Sequence, residues 1–261
     1  MNRVWTNTAR GLLFIGLILV LVGQTCLGQL GSIPDRELDI LYQKETSVKL
    51  SILTEGWSVG YDIGRIEKYY ITTFKHISFG SIHHFKEFSN ANNFSSNATT
   101  SQYYYGKQNS LYYIRAGKGR IRYLSDKTKR RGVAVGYSLE GGLTAGFLKP
   151  YYLKFERNID GLTRLVEEKY SEENASEFLD EHAIVDASNF LVGITETKLI
   201  PGVHGKFATH FSLRANSSFV SAVDVGIVMD LFIRKVPLMI LQKNRPYFFN
   251  LYVTLQLGKR E

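Results

Sequence analysis

A histidine, a serine and an aspartate in the last quarter of the sequence could together perform acyl transfer. His210 and Ser212 stand two residues apart, and Asp224 follows the turn-forming stretch 216–218. Serine is a weak nucleophile until a base takes its proton, and the base needs a partner for its second ring nitrogen. Residues two apart on a strand share a face, and a hairpin through 216–218 would bring Asp224 opposite them. The spacing therefore predicts a candidate hydrolase triad.

The same residues fit a second interpretation, in which they line the inside of a β-barrel. Alternation along the strands puts them on the polar side with other charged residues. The predicted interior network contains Asp62, Glu140, His210, Arg214, Asp224 and Asp230, joined by Lys49 and Arg115. A small barrel is filled by side chains, and buried charges must pair and hydrogen-bond. We favour this salt-bridge plug over catalysis, and it predicts a lumen closed to solutes.

A basic run over residues 118–131 is the strongest local charge feature. It contains Arg120, Arg122, Lys127, Lys129, Arg130 and Arg131, against one acid, Asp126. One interpretation is a solvated loop, and the other is contact with lipid phosphates or an acidic partner. We predict the loop and keep lipid or partner contact as the alternative.

Metal ligands and cofactor motifs are sparse. His83 and His84 are adjacent, but neighbouring residues on a strand point to opposite faces, and the sequence offers them no evident third ligand. The single cysteine, Cys26, falls in a segment expected to be removed, which leaves no thiolate for a metal site. We predict no metal and no cofactor.

Alternation with period two indicates that these side chains stand on β-strands. In residues 247–257 the odd positions are all apolar and most even positions are polar or small, and residues 223–231 repeat the rule. Glu55 and Gly56 predict a tight turn between two further strands. Nine strand-like runs are recognisable and a tenth is predicted over 189–198. Transmembrane barrels of one chain have even strand numbers, so eight or ten strands are expected and ten is preferred.

An acidic segment interrupts the strands. Within residues 161–186, Leu162, Leu165, Val166 and Tyr170 have helical spacing. We predict a short amphipathic helix in an insertion over residues 157–187. The predicted fold is all-β: a closed antiparallel transmembrane β-barrel of 8–10 strands with a short helical insertion.

The amino-terminal segment predicts export. Two arginines without an acid precede the apolar run 11–22, which is too short to span a membrane as a helix, and small residues follow. We expect residues 1–28 to be a signal peptide cleaved between Gly28 and Gln29. The expected domains are a periplasmic segment over 29–45, the barrel over 46–258 and a tail over 259–261. Export makes nucleic acid an improbable partner.

The segments 135–142 and 249–258, with the signal peptide ending before Gln29, give the chain its family resemblance. It resembles small outer-membrane β-barrel proteins of Bacteroidota, the group that includes PorT-like barrels. The resemblance implies an outer-membrane location, contact with outer-membrane lipid, and other envelope proteins as partners. The His210-x-Ser212 pattern, with Asp224, looks like that of outer-membrane lipid A deacylases.

These observations leave three functions open. We favour a non-enzymatic barrel with a structural or accessory role, as a subunit of a larger envelope or secretion machine. The first alternative is a lipid A deacylase-like hydrolase that uses Ser212 and His210. The second is a small passive channel, which the predicted salt-bridge plug disfavours because a filled lumen blocks solutes.

Overall fold

The computed structural model describes residues 42–68, 70–92, 101–124, 133–159, 162–180, 183–213 and 218–261. The expected signal peptide, residues 1–28, lies outside the described residues, as does most of the expected periplasmic segment. No helix among the described residues is long and apolar enough to cross a membrane.

The described residues form a β-rich structure. Its strands are β1 (Lys44–Leu53), β2 (Gly56–Lys68), β3 (Ile71–Ile82), β4 (Ser89–Asn92), β5 (Ser101–Tyr104), β6 (Asn109–Tyr123), β7 (Ala134–Pro150), β8 (Tyr152–Ile159), β9 (Leu162–Lys169), β10 (Ile184–Ala187), β11 (Lys198–Ser212), β12 (Phe219–Val236) and β13 (Arg245–Arg260). One short helix, α1 (Ala175–Phe178), and a 3-10 turn (Ile194–Glu196) complete them.

Eight strands close into an antiparallel barrel in the order β1-β13-β12-β11-β7-β6-β3-β2. The closed antiparallel barrel is therefore confirmed, with eight strands rather than the preferred ten. The predicted tenth strand over 189–198 was wrong, because residues 190–196 form turns and the 3-10 element. The sequence also predicts two strands, 133–139 and 143–155, around a turn at residues 140–142. Residues 134–150 instead form the single strand β7, and residues 152–155 pair in a separate sheet. The first strand begins at Lys44, and the last continues through Lys259 and Arg260.

The barrel has its apolar residues outside and its polar residues inside. On β13, Phe249, Leu251 and Val253 are exposed, whereas Asn250 and Thr254 between them are buried. Successive side chains on a strand point to opposite faces, so the alternation seen in the sequence directly gives this arrangement. Each barrel strand adds to the exposed apolar belt.

Strand tilt follows from the register. A path of directly opposed residues that starts at Val48 and goes once around the barrel passes Tyr61, Ile77, Ala116, Leu143, Val203, Leu231 and Tyr247. The partner of Val48 on β13 is Leu257, ten residues beyond Tyr247. Closing a barrel requires such a stagger, and it tilts the strands against the barrel axis.

The two ends of the barrel differ. We call the end with the connections 83–108, 151–197 and 237–244 the upper end. The lower end carries Lys44, Arg260 and the connections 69–70, 124–133 and 213–218. At the upper end, the β1–β2 turn depends on Gly56. Its φ of +149° is rarely adopted by other residues, and a Cβ there would lie 1.9 Å from the carbonyl oxygen of Ser81.

A small external unit stands on the upper end. Strands β10, β8 and β9 form a three-stranded sheet, and β4 pairs with β5. Its buried residues are Tyr103, Leu153, Phe155, Phe178 and Ile184. The predicted helix exists only as α1, since Leu162–Lys169 is a strand paired with β8. Leu162 and Leu165 point outward as exposed side chains, so their helical spacing did not reflect packing.

The upper lumen is closed by an apolar plug. It consists of Ile82, Leu111, Tyr113, Leu148, Ile200, Phe232, Val236, Leu238, Met239 and Phe248. The rings of Phe232 and Phe248 meet edge to face at 5.9 Å, an arrangement favoured by aromatic quadrupoles. Polar side chains occupy the lumen below the plug.

Candidate functional site

One row of directly opposed inward residues organises the middle of the lumen. It runs from Asp62 to His76 on the next strand, then through two glycines to His204 and Asp230. The glycines, Gly117 and Gly142, stand between the two histidines. Because they carry no side chains, the two imidazoles can meet above them, with their Nε2 atoms 3.0 Å apart.

Glu140 connects this row to two lysines. Its Oε1 atom lies 3.2 Å from His76 Nε2 and 2.7 Å from Lys206 Nζ. Lys49 Nζ lies 2.5 Å from the Asp62 carboxylate and 3.9 Å from Glu140. Each buried charge therefore has an opposite charge within reach, as stable burial requires.

Arg115 and Asp230 form the most deeply buried pair. Both side chains are 0% exposed, and Arg115 donates from Nε at 2.8 Å and from Nη2 at 2.6 Å to the two carboxylate oxygens. The guanidinium lies 3.8 Å from the ring centroid of Tyr113. This forked contact with an aromatic platform suits arginine and not lysine.

The predicted triad residues lie lower in the lumen. His210 Nδ1 contacts Asp224 Oδ1 at 2.5 Å, so the structure brings the histidine and the acid together. His210 Nε2, the atom that would take the serine proton, lies 3.3 Å from the Tyr123 hydroxyl. Ser212, two residues further along β11, is also buried. All four side chains face the lumen, where an acyl chain outside the barrel cannot reach them.

A clasp at the lower end joins β1 to β13. Arg260 Nε donates to Glu45 Oε2 at 2.8 Å, and Gln256 Nε2 donates to Ser47 Oγ at 2.9 Å. The side chains are buried, although they lie at the rim of the barrel. They hold together the two strands that close the barrel.

The predicted network and the observed one overlap. Asp62, Glu140, His210, Asp224 and Asp230 are all buried in the lumen, as are Lys49 and Arg115, while Arg214 lies outside the described residues. Sequence reasoning missed His76, His204 and Lys206, and also Tyr123 and the Glu45–Arg260 pair. The inward parity of Lys206, which it shares with His210, was the available signal for that lysine. Tyr123 was missed because its segment was predicted as a loop.

Among the described residues, one cluster has the composition of a metal site. The ligand atoms of His76, Glu140 and His204 lie within 4.8 Å of one another. However, Lys206 and Lys49 already neutralise Glu140 and would repel a cation placed there. The charge of Glu140 is thus already balanced within the cluster, and the composition of the cluster does not argue for an ion.

The basic residues stand on the outer wall near the lower end. Arg120 and Arg122 belong to β6 and are exposed on its outer side, so this part of the basic run is strand and not the predicted loop. Lys118 on the same face lies directly opposite Lys75 of β3. Lys127, Lys129, Arg130 and Arg131 lie outside the described residues.

Solved structures similar to this chain are small β-barrels. The Ail attachment invasion locus protein of Yersinia pestis is 7% identical, with 85% of this chain and 100% of that one covered and a TM-score of 0.36. The β-barrel domain of Pseudomonas aeruginosa OprF is 10% identical over 84% and 98%, with a TM-score of 0.35. A major outer membrane protein of Thermus thermophilus is 8% identical over 84% and 99%, also at 0.35. No family model and no curated protein matches the chain.

Proposed function

We propose that this chain is a non-enzymatic outer-membrane barrel with a structural or accessory role in the cell envelope. The observation that carries the proposal is the exposed apolar belt around the barrel. The strands of this barrel are hydrogen-bonded to both neighbours in its middle and lower parts. Apolar side chains such as Ile52, Leu143 and Val253 are half exposed or more. A soluble protein rarely exposes so large an apolar surface, whereas a membrane barrel requires it.

The hydrogen-bond ladders between the barrel strands also support a location in the outer membrane. In hydrocarbon every backbone N–H and C=O group needs an internal partner, and an open sheet edge cannot provide one. The pairing of β1 with β13 removes the edge that a linear sheet would leave. The predicted signal peptide over residues 1–28 would deliver the chain to the periplasm, from which such barrels insert.

The connections orient the barrel. Transmembrane barrels of bacteria have short periplasmic turns and longer extracellular loops. The upper end, with the 151–197 connection and its three-stranded sheet, therefore faces outward. The external unit exposes Leu162, Leu165 and Leu191, and we assign the predicted contact with other envelope proteins to this unit.

The lower outer wall supports the predicted contact with lipid. Lys75 and Lys118 are directly opposed, and like charges in this position destabilise a sheet. Arg120 and Arg122 extend the same basic surface along β6. Anionic headgroups of the inner leaflet would neutralise these side chains and relieve the repulsion. This is the role we assign to Arg120 and Arg122.

Membrane fractionation tests the proposal. The protein should be recovered with outer membranes, begin at Gln29, and migrate faster in unheated than in heated gel samples because the barrel stays folded. Recovery as a soluble periplasmic protein would contradict it.

The second candidate is a lipid A hydrolase, favoured by the 2.5 Å contact between His210 and Asp224. That contact supplies the acid and base of a triad, but the set faces the lumen and His210 Nε2 contacts Tyr123. The passive channel has less support, because the apolar plug and the charged network fill the described lumen.

A further inference from the structure

The barrel wall separates between β11 and β12 at the upper end. Their ladder ends at the pair Gly202–Phe232, yet both strands continue upward, β11 to Lys198 and β12 to Val236. Above that pair β11 remains bonded to β7, and no ladder joins the two described segments 198–201 and 233–236. A seam that is closed below thus opens near the rim.

The opening has a structural cause at the end of β12. Asn109 Nδ2 donates to the Pro237 carbonyl at 2.7 Å, and the Gln108 N–H donates to Leu238 at 2.8 Å. These bonds draw the chain after β12 across the mouth of the lumen toward β6. Pro201 and Pro237 flank the separated segments and have no N–H with which to extend a ladder.

A cleft of about 910 Å³ occupies the opening. Its lining combines apolar and polar side chains, and the apolar ones include Leu148 and Ile200 of the plug and Leu199 and Ile233 on the outer surface. Ile233 is 76% exposed, so the outer wall of the cleft continues into the apolar belt. Pockets of roughly 300–1,000 Å³ are the usual size for ligand sites.

Four cations border this cleft, and three of them make no salt bridge within the described part of the chain. They are Lys198, Arg234 and Lys235. The fourth, Lys169, donates to Glu196 Oε2 at 2.6 Å, which holds the pKa of that carboxyl below its usual range. Glu196, the acid at the cleft, is therefore already paired with Lys169. The charge that remains at the cleft is that of the other three cations.

Apolar walls beneath a cationic rim match one class of ligand. In the orientation proposed above, the cleft opens sideways at the level of the outer-leaflet headgroups. Phosphate oxygens are strong acceptors for arginine and lysine, and acyl chains can lie along Leu199 and Ile233.

We propose that this cleft binds a phosphorylated glycolipid of the outer leaflet, with phosphate at Lys198, Arg234 and Lys235 and an acyl chain along Leu199 and Ile233. The inference rests on the proposed outer-membrane function, and it adds a specific lipid site to it. Lipid bound there would cover the opening on its outer side.

Thermal unfolding of the purified barrel in non-ionic detergent tests the site. The probes are bisphosphorylated lipid A, dephosphorylated lipid A, the deacylated bisphosphorylated disaccharide, and inorganic phosphate. The protein should be stabilised by bisphosphorylated lipid A far more than by the other three. The variant K198Q/R234Q/K235Q should bind it at least tenfold more weakly, and L199S/I233S should also lose affinity.

The matched control is K86Q/K243Q/R245Q, which removes three cations of the same rim that do not line the cleft. It should keep the affinity of the unchanged protein. Equal loss in the control would show a diffuse charge effect, and equal binding of the deacylated disaccharide would show a soluble ligand; either result overturns the lipid site. Each variant should still migrate faster in unheated than in heated gel samples, which shows that its barrel is folded. A loss of lipid binding in a folded variant then concerns the lipid site and not the barrel proposal.

Discussion

Arg115 and Asp230 show what a buried charge requires at the scale of one residue. Neither side chain is exposed to solvent, so each depends on the other for its electrostatic stabilisation. Removing one partner from such a pair costs roughly 3–5 kcal/mol, because the remaining charge is left buried without compensation. Asp230→Asn should therefore still insert, but with a free energy of unfolding lowered by about that amount.

Urea titration followed by gel mobility or tryptophan fluorescence measures this change. The double variant R115L/D230L is the control, because it removes both charges and should recover most of the lost stability. If the double variant were less stable than D230N, the pair would not be the source of the effect.

Ser212 and His210 separate the two leading functions. If they belong to an interior network, Ser212→Ala should leave lipid A unchanged. His210→Ala should lower thermal stability, because it leaves the Asp224 carboxylate without its 2.5 Å partner. Mass spectra of lipid A from cells that carry each variant test this directly. Loss of an acyl chain that depends on Ser212 would instead establish the hydrolase.

The identity of an interior residue was easier to predict than its partner. Alternation alone gave the inward direction of Asp62, Glu140 and Asp230. Their contacts depend on register between strands that are far apart in sequence; Arg115 and Asp230 are separated by 115 residues. No local pattern encodes that distance, so the meeting of His76 with His204 could not be foreseen.

At the scale of an element, β12 gives a test of which face meets lipid. Val225 and Ile227 are exposed on its outer side. Changing either to Arg should cost about 2–4 kcal/mol if it lies near the bilayer midplane. Phe219→Arg on the same face near the lower end should cost about 0–1 kcal/mol. Refolding into lipid vesicles measures both, and equal costs would show that depth is not the cause.

The glycine pair between the two histidines gives a second test at this scale. A Cβ on Gly142 would lie 2.2 Å from the carbonyl oxygen of Ala116, whereas one on Gly205 would meet nothing within 4 Å. Gly142→Ala should therefore destabilise the barrel by roughly 1–3 kcal/mol through overpacking. Gly205→Ala, on the adjacent strand, should be neutral or slightly stabilising. Equal unfolding midpoints in urea would contradict this account.

Elements were predicted well where one face is apolar and less well elsewhere. Residues 247–257 alternate without interruption, and β13 lies over them. The apolar residues of Leu162–Lys169 fit both the helical and the strand periodicity. The segment forms a strand because it pairs with β8. The strand number was overestimated because residues 140–142 were predicted as a turn, whereas β7 runs through them as one strand, and because the tenth strand predicted over 189–198 is mostly turns.

At the scale of the whole molecule, the filled lumen predicts an electrically silent barrel. The apolar plug lies above the network of Glu140, Lys206 and Lys49, so no water path is expected through the described lumen. Purified protein in a planar bilayer should show no stable conductance steps at neutral pH. Reproducible single-channel steps would support the channel instead, and a porin inserted in the same bilayer is the positive control.

The clasp between Glu45 and Arg260 also bears on how the barrel is made. It joins residues 215 positions apart, whereas the other barrel seams connect strands that are closer in sequence. Bringing distant segments together has the largest loop-closure entropy, so we expect the β1–β13 seam to form last. Until it does, both edge strands are open and able to pair with another chain. Formation of the seam that the Glu45–Arg260 contact holds would then end the exposure of these edges.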